Sequence, residues 1–404
     1  MDGTVLGIFV LVYAGMMVGD VPGLVIDRTG IALLGAIALL ATERVGIDEA
    51  WQAVDVPTIA LLFGLMIVSA QLRQGGFYAL VTRRLAAHDA TPDRLLALLI
   101  AAVGALSAVL VNDIVCLAMT PVLVEVCARR RLDPVPFLLA LACAANVGSA
   151  ATLIGNPQNM LVGQTLHLSF PGYLLDASLP VVLGLGVVWL VIRAAHGRSW
   201  HASTPLPVPE DAHFDAWQST KGLLVLGGAV LLFLVSSLPR ELVALTGAGI
   251  LLVSRQTASR DTLALVDWQL LILFLGLFVV NHAFSESGAA AALLRDAAAA
   301  GVDLRQPGWL FVATAALSNL VSNVPAVMLL LPAATDPLAG PVLALASTLA
   351  GNLIVVGSIA NIIVLEQAAR LGIDVDWRTH ARVGVPVTLA TLVIAAAWLW
   401  LRAG

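Results

Sequence analysis

The chain has 404 residues, 59% of them apolar and 12% charged, about half the charged share of an ordinary soluble domain, which is roughly 25%. With a mean hydropathy of +0.95 it cannot coat a water-facing surface of this size. A net charge of −5 leaves no basic face for nucleic-acid phosphates. Cys116, Cys127 and Cys143 fall inside apolar runs, away from any C-x-x-C or Cys/His spacing, which argues against a disulfide or zinc framework.

The composition predicts an all-α integral membrane protein whose spans need about 20 residues each. The opening MDGTVLGIFVLVYAG lacks a basic n-region and a small-residue cleavage site, so it reads as a retained first span. In chain order, single spans are predicted at 4–20, 28–43 and 55–72, a double segment at 93–128, and single spans at 136–165 and 177–195. A polar, proline-containing stretch, 196–221, reads as a cytoplasmic linker. The pattern then recurs: single spans at 222–237, 241–254 and 267–284, a double segment at 308–333, and single spans at 341–365 and 383–401. Arg83 and Arg84, Arg129 to Arg131, Arg193 with Arg198, Arg255 with Arg260, and Arg370 with Arg378 and Arg382 occupy alternate loops. Those loops are therefore expected in the cytoplasm, with both chain ends outside.

Internal similarity is legible by eye. VDVPTIALLFG (54–64) aligns with VDWQLLILFLG (266–276) at an offset of 212, and ALSAVLVNDIVCLAMTPV (105–122) with ALSNLVSNVPAVMLLLPA (316–333) at 211. IGNPQNMLV (154–162) aligns with VGSIANIIV (356–364) at 202. The chain therefore divides into a first repeat, 1–195, the linker 196–221, and a second repeat, 222–404. Each half has five single spans plus a double segment, so its crossings are odd in number whether the double adds none or two. The halves are thus expected in opposite orientations, the layout of secondary transporters whose sites lie at the repeat interface near the midplane.

From Asn323 to Asp336 the returning arm has 13 residues, about 20 Å as helix against a hydrocarbon core of about 30 Å. The double segments accordingly read as re-entrant hairpins whose tips, VND and SNVP, stop within the membrane, where irregular backbone survives only in protein or along a wet cavity. At such tips the first N–H groups of the returning arm are unpaired and sit at the positive end of the helix dipole. Asn112, Ser322 and Asn323 add polar side chains there; helix capping is the plainer role for the same residues. Asp113 is a carboxyl at membrane depth, costing roughly 2.5 to 3.5 kcal/mol on insertion scales, so a cation, a proton or a dipole should offset it; its counterpart is Val324. Gly155 and Pro157 interrupt one apolar helix, and Gly357 with Ser358 its partner, freeing backbone groups to coordinate a solute. Asn146, Ser149, Thr152, Asn156 and Asn159 line the first approach, and Asn352, Ser358 and Asn361 the second, unless they serve helix packing alone. His282 reads as interfacial, Cys116 as a small buried hydrophobe, and Glu125 as solvated where the first hairpin regains the cytoplasmic surface. No H-E-x-x-H, G-x-S-x-G or P-loop is present, so an enzyme is not expected.

The tip VND followed by TPV, then DPVPFLLALACAANVGSAATLIGNPQN and STLAGNLIVVGSIANIIV, resembles the ion-transporter superfamily over nearly the whole chain, closest to its arsenite-permease branch. The resemblance implies a homodimer, a scaffold domain, and a transport domain of hairpins and broken helices that moves like an elevator. Ser-Asn-Thr at both tips marks the family's dicarboxylate carriers; here the tips are Val111-Asn112-Asp113 and Ser322-Asn323-Val324, a departure from the two-sodium dicarboxylate scheme. The expected function is efflux of a small inorganic oxyanion or oxyacid, arsenite first, coupled to H+ or Na+ through Asp113, in a bacterial inner membrane and without a cofactor. A soluble ATPase subunit is the partner that an arsenite pump would add. The alternatives are a sodium-coupled di- or tricarboxylate symporter, another anion symporter, and a sodium/proton antiporter.

Overall fold

The computed structural model describes residues 2–19, 26–87, 91–196, 200 and 214–403. Of the expected linker, 197–199 and 201–213 lie outside the described residues, while 216–221 open a helix. Among the described residues there are helices and no strands. The first ten are α1 (Gly3–Val18), α2 (Arg28–Ala41), α3 (Ile47–Ala53), α4 (Val56–Gln74), α5 (Phe77–Ala87), α6 (Pro92–Val109), α7 (Asn112–Arg130), α8 (Pro134–Ser149), α9 (Pro157–Thr165) and α10 (Phe170–His196). Then come α11 (Ala216–Val235), α12 (Arg240–Leu252), α13 (Ser259–Leu263), α14 (Trp268–Glu286), α15 (Ala289–Ala299), α16 (Pro307–Val321), α17 (Asn323–Leu330), α18 (Ala339–Ala350), α19 (Ile359–Arg370) and α20 (Trp377–Ala403). A 3-10 turn, Leu331–Ala333, extends α17, and another, Val355–Gly357, precedes α19.

Local chemistry sets many of these starts. Asp55 accepts from Thr58 N at 2.9 Å and Asp267 from Leu270 N at 2.9 Å, so the two VD motifs at offset 212 are N-caps of α4 and α14. Asp27, Asp133 and Asp215 cap α2, α8 and α11 in the same way. Among the described residues, six helices are long and apolar enough to cross a bilayer: α4, α6, α10, α11, α14 and α20. The expected spans at 4–20, 28–43 and 241–254 form the shorter helices α1, α2 and α12, and those at 136–165 and 341–365 are each split in two. The closing helices α10 and α20 begin at Phe170 and Trp377, earlier than the hydropathy edges at 177 and 383, because a helix extends past its apolar stretch.

The packing is criss-crossed between the halves. α4 lies on α12 and α14 on α2; α6 packs on α8 and α16 on α18; α10 and α20 run together. At the centre, every residue of α18 is buried, as is nearly all of α8. Leu11, Leu175, Val182, Leu224, Val393 and Leu401 are exposed on the flanks, and Trp51, Trp217, Trp377 and Trp400 are exposed near helix ends. This is the apolar coat and aromatic fringe of a chain solvated by lipid.

Glu125 corrects one expectation. It is buried, held by Arg83 at 3.1 Å and by Arg129 at 3.0 Å, and so ties α5 to α7 instead of standing in solvent. His282 lies 3.3 Å from Glu49 on α3, and Cys116 is fully buried.

Candidate functional site

Both hairpin tips are buried. In the first, α6 ends at Val109 and α7 starts at Asn112; Val111 has φ −61° and the Asn112 amide donates to the Gly155 carbonyl at 3.1 Å. The first hairpin's arms, of 18 and 19 residues, are each long enough to cross a bilayer. Length alone therefore fits two crossing helices as well as a hairpin; Val111, Asn112 and Asp113 at the turn are all buried. In the second, a single residue, Ser322, separates α16 from α17, with φ 78° and ψ 162°. That region is almost exclusive to glycine, so Ser322 holds backbone strain of about 1–3 kcal/mol.

Each tip abuts a helix break. Between α8 and α9 the backbone unwinds over 150–156, and Asn156 restarts the helix by accepting from Asn159 N at 2.9 Å. Gly155 is required there, since a Cβ would lie 2.3 Å from the Ser149 carbonyl oxygen and 2.6 Å from that of Ser107. Thr152 donates to the Ala108 carbonyl of α6. Asn159 donates to the Thr152 carbonyl at 3.0 Å. Between α18 and α19 the unwound stretch is 351–358, and Asn361 donates to the Gly351 carbonyl at 2.9 Å, the matching role. Asn323, with its amide nitrogen turned toward carbonyls, donates to Ser347 O at 3.0 Å and Gly357 O at 3.3 Å, and accepts from Gln158 at 3.3 Å.

The two breaks brace each other. Asn146 on α8 reaches into the second break, donating to Asn352 at 2.8 Å and Asn361 at 3.1 Å and accepting from Ser358 at 2.8 Å. At the offset of 202 its equivalent is Thr348 on α18, which reaches into the first break. There Thr348 accepts from Asn156 at 3.2 Å and Gln158 at 3.1 Å and donates to Asn159 at 3.3 Å. These are buried, mutually satisfied polar groups, so the network fixes the relative position of the breaks.

Between the tips lies a cavity of about 20 Å³, lined by Asn112, Asp113, Pro157, Gln158, Leu270, Ser322, Asn323, Val324, Ser358 and Ile359, room for roughly one water-sized body. No Lys, Arg or His lines it. Asp113 is 7% exposed and has no hydrogen bond or ion pair among the described residues; the Asn112 Oδ1 is buried without a partner among them. Of the polar residues singled out in the sequence, Asn112, Asp113, Ser322, Asn323 and Ser358 meet here, together with Pro157 of the first break. Thr152, Gly155, Asn156, Asn159, Asn352, Gly357 and Asn361 do not line the cavity; they form the scaffold behind it. Sequence reasoning missed Gln158, which sits inside the quoted Gly-Asn-Pro-Gln-Asn break, and Thr348, whose position at the offset of 202 from Asn146 was the available signal. A larger recess of about 840 Å³ runs past Asp55, Gln164, His167, Arg240 and Glu241 and contains none of these residues. Its Arg240 is engaged by the Gly163 carbonyl at 2.7 Å.

The chain is similar to known transporters. The citrate transporter (CitMHS) family model matches residues 9–350. An uncharacterized transporter of Mycobacterium tuberculosis is 30% identical over 93% of this chain and 94% of its own. The silicon efflux transporter LSI3 of rice (Oryza sativa subsp. japonica) is 29% identical, with 93% of each chain covered. The crystal structure of the YdaH transporter of Alcanivorax borkumensis superposes with a TM-score of 0.59 at 15% identity, over 99% of this chain and 98% of that one, and so shares its fold. The relatives are transporters and not enzymes. This multi-pass membrane protein belongs to the CitMHS citrate transporter family of the ion-transporter superfamily.

Proposed function

We propose that this secondary transporter moves a small, weakly acidic oxyacid, with a proton or Na+ exchanged at Asp113. The observation that carries the reading is the lining of the tip cavity: amides, hydroxyls, the starts of α7, α9, α17 and α19, and one unpaired carboxyl, beside Leu270 and Val324 and with no cationic side chain. A tricarboxylate would bring several negative charges toward Asp113 with only helix dipoles to meet them. An uncharged hydroxide of the arsenite or silicic acid kind asks for hydrogen-bond partners alone. Arsenite is the first solute of this class, and silicic acid follows from the rice relative's name.

The two runs of ten helices are, in this reading, copies inverted with respect to the membrane, and the tips and breaks form one transport unit. The cross-bracing by Asn146 and Thr348 supports their moving as a single body against the surrounding helices, in an elevator-like exchange within a homodimer. Counterflow in proteoliposomes tests the solute class. Arsenite or silicic acid flux driven by a pH gradient without sodium is expected. Citrate flux with no oxyacid flux would favour cation-coupled carboxylate symport, and sodium flux in the absence of any anion would favour sodium/proton antiport.

A further inference from the structure

The two closing helices grip the two breaks with different chemistry. Tyr173 is the fourth residue of α10 and His380 the fourth of α20. The Tyr173 hydroxyl donates to the Ala150 carbonyl at 2.8 Å and accepts from Asn159 at 3.2 Å. His380 Nε2 lies 3.1 Å from the Asn352 carbonyl oxygen, and Asn352 is Ala150 shifted by the offset of 202. Each closing helix therefore holds the carbonyl at the head of one break. A phenol stays uncharged across physiological pH, whereas an imidazole titrates within it.

The second grip is also the less satisfied. Facing a carbonyl, Nε2 must carry the proton, a tautomer assigned from the partner. That leaves Nδ1 as a lone pair, and it is buried without a hydrogen-bond partner among the described residues, on a side chain whose residue is 1% exposed. Gly384, one turn along, permits this approach: a Cβ there would stand 2.2 Å from the Asn352 oxygen and 2.9 Å from His380 Nε2. A second proton on the ring would place a charge with no counter-ion in this packing. Of the elements against α20, α18 and the Val355–Gly357 turn carry no titratable side chain, and α8 carries only Cys143. On α10 the other titratable groups are Asp176, Arg193 and His196; Asp176 pairs with Arg402 at the opposite end of α20, at 2.7 Å. Near His380 in the chain are Asp376, Arg378 and Arg382. Asp376 accepts from Thr379 N at 2.8 Å, and Arg378 stacks on Trp377. The side-chain and backbone hydrogen bonds from Thr379 hold the Asp376 carboxyl below its ordinary range, so it stays charged throughout the range in which imidazole titrates.

We propose that His380 is a proton-responsive positioning residue: neutral, it clamps the Asn352 carbonyl and the second break; protonated at Nδ1, it releases them, giving the transport cycle a proton input on one half that is separate from Asp113. Its place in a cycle rests on the transporter reading, but the clamp can be tested without any solute. Hydrogen–deuterium exchange of peptides covering 351–358 in the purified full chain, corrected for intrinsic exchange, is followed from about pH 8 to about pH 5. In the unmodified protein the exchange is expected to rise by about tenfold or more on acidification, the scale of an unpartnered buried charge, while peptides covering 149–156 stay level. His380→Gln, an amide that can still donate and cannot titrate, should abolish the rise, and Asp113→Asn should keep it. His380→Tyr, which installs the residue of the first half, makes the same comparison should the glutamine variant not fold. A rise that persists in either His380 variant, or a flat profile in the unmodified protein, overturns the proposal. Failure of arsenite or silicic acid transport leaves this readout standing and counts only against the solute class.

Discussion

Replacing Asn146 with alanine is the sharpest perturbation of the braced breaks. The side chain makes three buried hydrogen bonds, to Asn352, Asn361 and Ser358, at 2.8, 3.1 and 2.8 Å. Its loss strands three polar atoms in a region where Asn352 and Asn361 are fully buried. At about 1–3 kcal/mol for each unsatisfied group, and with a water able to enter the vacated volume, the cost should be about 3–6 kcal/mol. The reciprocal change, Thr348→Val, preserves shape and costs less, about 1–2 kcal/mol. Asn156 keeps its bond to Ser149 at 3.0 Å, and the contact to Asn159 is long at 3.3 Å. Thermal unfolding of the purified protein should rank Asn146→Ala well below Thr348→Val, and the double variant should depart from additivity because the two residues serve one network. Native-like stability of Asn146→Ala, a reversed ranking, or strict additivity would refute the idea of a single braced unit.

Four further outcomes follow from particular residues. Asp113→Asn should remove the dependence of solute flux on the coupling ion while the protein still folds in the membrane; unchanged ion dependence in counterflow would take Asp113 out of the mechanism. Gly155→Ala should cost about 1–3 kcal/mol by forcing the first break against backbone on two sides. Gly186→Ala, where nothing lies within 4 Å of the added atom, should cost nothing; equal melting temperatures for the two would contradict the close approach. Ser322→Gly should match or exceed the parent's stability, since relief of a strained φ of 78° offsets the added chain entropy. Ser322→Ala keeps the strain and should melt lower than the glycine variant. Glu125→Gln should destabilise by about 1–3 kcal/mol by weakening the buried bridge between α5 and α7, and a silent variant would return Glu125 to a surface role.

What could be read from the chain was whatever interrupts an apolar run. Gly155, Pro157, Gly357 and the polar tips stand out against Leu, Val and Ala, so both buried turns and both helix breaks are legible from the residues alone. Short helices such as α3, α5, α13 and α15 leave no comparable mark, being too brief to register in hydropathy. The direction of side chains was the larger gap. Asn156, Asn159 and Asn361 have the residue types of a binding wall, yet Asn159 and Asn361 turn their amides back onto the backbone of their own breaks, and Asn156 caps α9 and reaches Ser149 and Thr348. Spacing cannot distinguish a group that faces a solute from one that holds the loop facing it. Glu125 went astray for a related reason: its partner Arg83 lies 42 positions away, so local sequence shows a carboxylate near a surface and not an enclosed ion pair.

The proposed transport mechanism requires both hairpin ends to face one shared polar cavity inside the bilayer. Single cysteines at positions 112 and 323, in a background with Cys116, Cys127 and Cys143 replaced, would be treated with a membrane-impermeant maleimide in oriented vesicles, with and without arsenite or silicic acid. Slow modification at both positions, and protection of both together by the transported solute, are expected. Rapid modification of each position from the face opposite its hairpin's entry, indifferent to solute, would show two ordinary pairs of crossing helices and contradict that mechanism.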